Sequence, residues 1–183
     1  MYIDVCSSRG QLPVYGFKLL SYQLRDVQPI INAKKFLSDL YLKGYKIIYL
    51  TRTNLFYHAI SNLNARQNKF HHQANEKKPK FQPIYLDLED LIHWIEHSQS
   101  LAEYEKKILK DLPYLSLTYE EHLQDASCHQ KTANLIFDYL EIPATSIQTN
   151  LVKIVPRNLQ DLVLNYESLT QQLKSTKYSH YLD

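Results

Sequence analysis

The sequence predicts an α/β fold, with a central parallel sheet flanked by helices. Three observations carry this. Apolar segments at 14–20 and 46–50 each suit a strand, and an amphipathic helical pattern lies between them. Strand, helix, strand is the unit of a parallel sheet. The second strand then delivers Arg52 directly before another helical pattern, and a further strand pattern at 114–118 follows a long helical stretch.

In chain order, Gly16 in the first segment permits close backbone approach, and Lys18 points to the face opposite Phe17 and Leu19. Residues 29–42 carry apolar side chains at 30, 31, 33, 36, 37, 40 and 41, with Pro29 near the start of a helix and Gly44 just past its end. Asn54 has the character of an N-cap for a helix running to about Lys69. Leu55, Ala59, Leu63 and Arg66 fall near one of its faces, and Tyr57, Ser61 and Asn64 near another.

Residues 68–83 are polar and basic, with His71, His72 and prolines at 79 and 83, and read as a surface loop. A lid over a substrate or cofactor is the sharper reading of the same loop. Residues 83–86 suit a short strand, and Asp87 an N-cap, with Asp90 in the first turn. The following apolar pattern predicts one long helix to Leu112, or two joined near His97 and Ser98. After the strand at 114–118, a helix at 127–140 ends before Pro143. The tail holds a second basic patch, Lys153 and Arg157, and a helix over 159–173.

At 183 residues the chain reads as a single domain spanning 1–183. A net charge of +2 argues against a general nucleic-acid or membrane binder. Cys6 and Cys128 lack metal-ligand spacing, and His93, Trp94 and His97 lack a further ligand nearby, so no metal site is expected. No apolar run approaches the ~18 residues of a membrane span, and the first residues lack the charged and apolar parts of a signal peptide. These features predict a soluble, cytoplasmic protein. Only 3 glycines are present, which leaves little material for a glycine-built phosphate cradle.

Chemistry concentrates after the 46–50 strand. An arginine at a strand's C-terminal end, next to a helix N-terminus, suits an anion. Ser61 lies nine residues after Arg52 and adds a hydroxyl donor to a guanidinium capable of bidentate contact. The competing reading makes Arg52 a surface ion-pair former and Ser61 a plain helical residue.

Several ordered segments resemble the sulfotransferases that use 3′-phosphoadenosine 5′-phosphosulfate, especially the bacterial group that includes trehalose sulfotransferases. They are Gly16-Phe17-Lys18-Leu19; Ile47 to Arg52 with Ala59-Ile60-Ser61; Ala65-Arg66-Gln67; Leu115 to Leu123, similar to a strand followed by Tyr-Glu-x-Leu; Asn165-Tyr166-Glu167; and Lys177-Tyr178-Ser179. The resemblance implies a P-loop-NTPase-like fold. It also implies transfer of a sulfuryl group from that donor to a hydroxyl on a carbohydrate or lipid. Arg52 and Ser61 would hold the 3′-phosphate, and Lys153 and Arg157 would close over the nucleotide.

The family's N-terminal loop for the 5′-phosphosulfate has no counterpart here, because Cys6-Ser7-Ser8-Arg9-Gly10 is short and no helix follows it. The chain therefore reads as an N-terminally truncated version of that fold. No catalytic base is assigned; His71 and His72 qualify by side-chain type only. The alternative is a non-catalytic nucleotide-binding or interaction domain. A parallel sheet without its first strand exposes an edge, so the chain is expected either to be marginally stable or to form a homo-oligomer.

Overall fold

A computed structural model describes residues 8, 14–28, 30–68, 82–148 and 158–182. Its elements are helix α1 (Ala33–Leu42), strand β1 (Ile47–Thr51), helix α2 (Leu55–Gln67), helix α3 (Leu88–Leu109), strand β2 (Tyr114–Thr118), the short helix α4 (Tyr119–His122), helix α5 (His129–Leu140) and helix α6 (Tyr166–Lys174). The chain is thus mixed α/β and mostly helical, with one parallel strand pair among the described residues.

Local chemistry sets the helix ends. Asn32 accepts the Lys35 N–H at 2.9 Å, so α1 starts directly after it. Ile31 stays fully exposed outside it. Gly44 takes φ +90° just past the end, a conformation that costs a side-chain-bearing residue more. Asp87 receives the Glu89 N–H at 2.7 Å and opens α3. Ser98 donates to the Trp94 carbonyl at 2.8 Å without interrupting the turn, and α3 continues as one helix of 22 residues.

Helix α3 is the spine. Its N-terminal half places Leu91 and Ile95 in a core with Phe56, Ala59, Ile60 and Leu63 of α2 and Leu169 and Leu173 of α6. Its C-terminal half places Ile108 and Leu109 in a second core with Leu24 and with Ala33, Leu37 and Leu40 of α1. Ile47 and Tyr49 pack against this second core, and the Tyr49 hydroxyl donates to Glu105 at 2.7 Å.

β1 and β2 pair in parallel with Ile47 opposite Tyr114 and Thr51 opposite Thr118. Successive side chains alternate between faces. Ile47 and Tyr49 therefore face the second core, while Ile48 and Leu50, on the other face, remain 39% and 49% exposed. Helices on both sides of the sheet were expected; the packed helices of the second core lie on one side.

Three expected elements differ. Residues 14–20 form no strand: they join no ladder, and Val14, Phe17 and Leu19 stay exposed. Phe17 instead sets its ring edge-on to Tyr45, with centroids 6.0 Å apart, so this segment rests on the approach to β1. At 83–86 the strand shrinks to a bridge between Ile84 and Val163. That bridge also interrupts the helix expected over 159–173: only a single 3-10 turn forms at Leu159–Asp161, and the buried Val163 then pairs with Ile84. Asn165 then holds both the N–H and the C=O of Leu86, at 3.0 and 2.8 Å, and α6 begins only afterwards.

Truncating Ile95, which is fully buried, is expected to cost about 3 kcal/mol as Ile95→Ala through lost transfer energy and a residual cavity. Ile31→Ala should change stability by less than ~0.5 kcal/mol. Urea denaturation of both variants checks the contrast.

Candidate anion-binding site at the end of β1

The register builds this site. Thr51 and Thr118 are partners at the last step of the ladder, so the next residues, Arg52 and Tyr119, leave the sheet side by side. The Arg52 guanidinium lies 3.7 Å above the Tyr119 ring centroid. A cation over an aromatic face contributes about 1 kcal/mol and holds the long side chain in one place. Among the described residues Arg52 forms no ion pair with a carboxylate.

The turn after Arg52 leads into α2. Asn54 accepts the Tyr57 N–H at 2.8 Å, satisfying one free donor of the first turn. The preceding donors go elsewhere: Glu120 accepts the Thr53 N–H at 3.1 Å and the Asn54 N–H at 3.3 Å, one on each carboxylate oxygen. Partial burial works to raise the Glu120 pKa. The amide bonds from Thr53 and Asn54, its own N–H and the Thr53 hydroxyl outweigh burial and keep it lower than usual. The turn therefore already holds an anion, and it is the chain's own.

Two further groups flank Arg52. Burial, with help from the Arg52 charge and against that of Glu120, pushes the His58 pKa down to about 4. At neutral pH His58 is thus an uncharged imidazole. Burial also raises the Tyr57 pKa, reinforced by Tyr119 and opposed by Arg52.

Ser61 is half-buried on α2. It sits seven residues after the N-cap, roughly 10 Å along the helix axis at 1.5 Å per residue. Viewed down the helix, it falls between Tyr57 and His58, one turn further on. Ser61 thus lies on the flank of α2 that Arg52 acts on, with no hydrogen bond joining the two among the described residues. Lys153, Arg157, His71 and His72 lie outside the described residues.

Tyr119 and Glu120 are the members of this candidate site to which the sequence alone assigns no role. The signal was their position directly after an apolar strand, as Arg52 directly follows β1. The missing information was that the two strands are neighbours in register.

Along α3, His93 stacks on His97, and Trp94 meets the His97 ring edge-on. The His97 ring meets Arg25 at 3.3 Å and Asp26 at 3.4 Å. Among the described residues no group of three potential metal ligands occurs, and no helix is long and apolar enough to cross a membrane. A shallow cavity of about 290 Å³ is lined by Phe36, Asp39, Leu42 and Lys43, and Arg52 takes no part in it. No family model, curated protein or solved structure matches this chain.

His58 generates a pH prediction. Its folded pKa is depressed, so the unfolded chain binds more protons between pH 6.5 and about 4. Stability therefore falls as pH drops through that window, by up to about 3 kcal/mol from this group. His58→Gln should flatten the decline relative to wild type in urea titrations at pH 7 and pH 4.5.

Proposed function

We propose that the end of β1 binds the 3′-phosphate of an adenosine nucleotide, in a domain of the sulfotransferase type. One observation carries the reading. Residues 47–52 and 115–120 underlie two parts of the resemblance and lie more than sixty positions apart, yet their strands pair in parallel and bring Arg52 onto Tyr119. A phosphomonoester beside the exposed side of Arg52 would gain a charge-assisted contact from a guanidinium that is already positioned. Ser61 would supply a hydroxyl donor from the adjacent flank of α2. Lys153 and Arg157 belong to the same proposal as closing basic groups.

The reaction on this reading is sulfuryl transfer from 3′-phosphoadenosine 5′-phosphosulfate to a hydroxyl of a carbohydrate or lipid. The finer fold assignment, P-loop-NTPase-like, is part of the same proposal. It draws support from a parallel pair whose strand ends carry the anion site, as expected where ligands meet the carboxyl ends of strands. A second reading, nucleotide binding without transfer, is favoured by the Glu120 carboxylate, which already fills the backbone donors of the turn.

Calorimetry with 3′-phosphoadenosine 5′-phosphate tests the site. Arg52→Ala should weaken binding by at least ~1.5 kcal/mol, and Ser61→Ala by about 1 kcal/mol, as lost charged and neutral hydrogen bonds do. No binding by the wild type, or equal binding by Arg52→Ala, sinks the assignment. Transfer of labelled sulfate to a hydroxyl acceptor separates the two readings.

A further inference from the structure

We propose that Glu120 determines which anions the Arg52 site accepts: it fills the turn's backbone donors, leaving side chains to hold an isolated phosphomonoester and refusing a phosphate chain. The inference rests on the phosphate-binding reading of Arg52 and deepens it to a substrate class.

The geometry is that of an anion cradle with an occupant. One Glu120 oxygen receives the Thr53 N–H at 3.1 Å, and the other receives the Asn54 N–H at 3.3 Å. Two adjacent amides at the mouth of a 13-residue helix are the donors a phosphate ordinarily takes. The occupant is tethered, since Glu120 is only two residues beyond the ladder partner of Thr51. It therefore competes at a high effective concentration. A ligand phosphate reaching Arg52 meets a guanidinium backed by Tyr119, with a fixed negative charge one residue beyond it. One phosphate is tolerated through Arg52 and Ser61. A second phosphate bonded directly to the first needs either the occupied amides or space beside a carboxylate, where like charges repel. Adenosine 3′-monophosphate and inorganic pyrophosphate represent the two classes.

The experiment measures both affinities by calorimetry for wild type, Glu120→Ala, Glu120→Gln and Arg52→Ala, with thermal melts alongside. Wild type should bind adenosine 3′-monophosphate and take pyrophosphate about tenfold more weakly, a difference of one charged hydrogen bond. Glu120→Ala frees the amides and should improve pyrophosphate binding by about tenfold relative to the monophosphate. Should Glu120→Ala fail to fold, Glu120→Gln decides: it keeps an acceptor on the turn but removes the charge, and a several-fold gain is expected. An unchanged affinity ratio in a folded Glu120 variant overturns the inference. If neither wild type nor Arg52→Ala binds the monophosphate while Glu120→Ala gains pyrophosphate binding, the occupied cradle stands and the nucleotide reading of Arg52 falls.

Discussion

The parallel register of β1 on β2 is the constraint on which the candidate site depends. Pairing Thr51 with Thr118 ends both strands level, and everything that follows is a consequence of that alignment. Arg52 can reach the Tyr119 ring because both are the first residues beyond the ladder. Glu120 can reach the Thr53 and Asn54 amides because it follows one position later. A slip of one residue would send the alternating side chains to the wrong faces, burying Ile48 and Leu50 in place of Ile47 and Tyr49. The second core thus holds the register, and the register holds the site.

That core depends in turn on α3. A helix of 22 residues spans roughly 33 Å at 1.5 Å per residue, long enough to serve two cores at once. Its first half grips α2, which carries His58 and Ser61, and its second half grips α1 and the inner face of β1, which carries Arg52. The two flanks of the anion site are therefore fixed to one rigid element. The hydrogen bond from Tyr49 to Glu105 ties the strand to the helix directly, and burial with that bond pushes the Tyr49 pKa well up, leaving the phenol a donor at ordinary pH.

What the sequence made legible follows the range of the forces involved. The Asn54 cap, the Gly44 stop, the Asp87 start and the strands around Ile48 and Leu117 are decided within a few residues, and the pattern shows them. The segment 14–20 suits a strand by its apolar residues, although Phe17 packs on Tyr45 and Tyr15 on Phe17, and neither lies across a ladder. The helix expected over 159–173 was interrupted for a similar reason. Apolar spacing does not show that Val163 will meet Ile84, or that Asn165 will engage the Leu86 peptide group. Within the site, Arg52 and Ser61 were visible as donor types at the end of a strand and on a helix. Tyr119 and Glu120 were visible as a Tyr-Glu pair after a strand but with no place in the site, since their contacts with Arg52, Thr53 and Asn54 span more than sixty positions.

Scarcity of glycine bears on the same point. A phosphate cradle that wraps an anion in successive amides usually needs glycine to turn the chain. Here the turn is Arg52-Thr53-Asn54, and it presents two amides without glycine. Two amides are enough for a carboxylate, whose two oxygens match them one to one. The turn's two donors are therefore satisfied within the chain, by a charge-assisted pair of hydrogen bonds. Glu120 follows the Tyr119 ring that Arg52 covers, yet its two oxygens bond the backbone, and no ion pair joins it to Arg52 among the described residues. Committing Glu120 to the Thr53 and Asn54 amides thus stabilises the turn and keeps the arginine open at once.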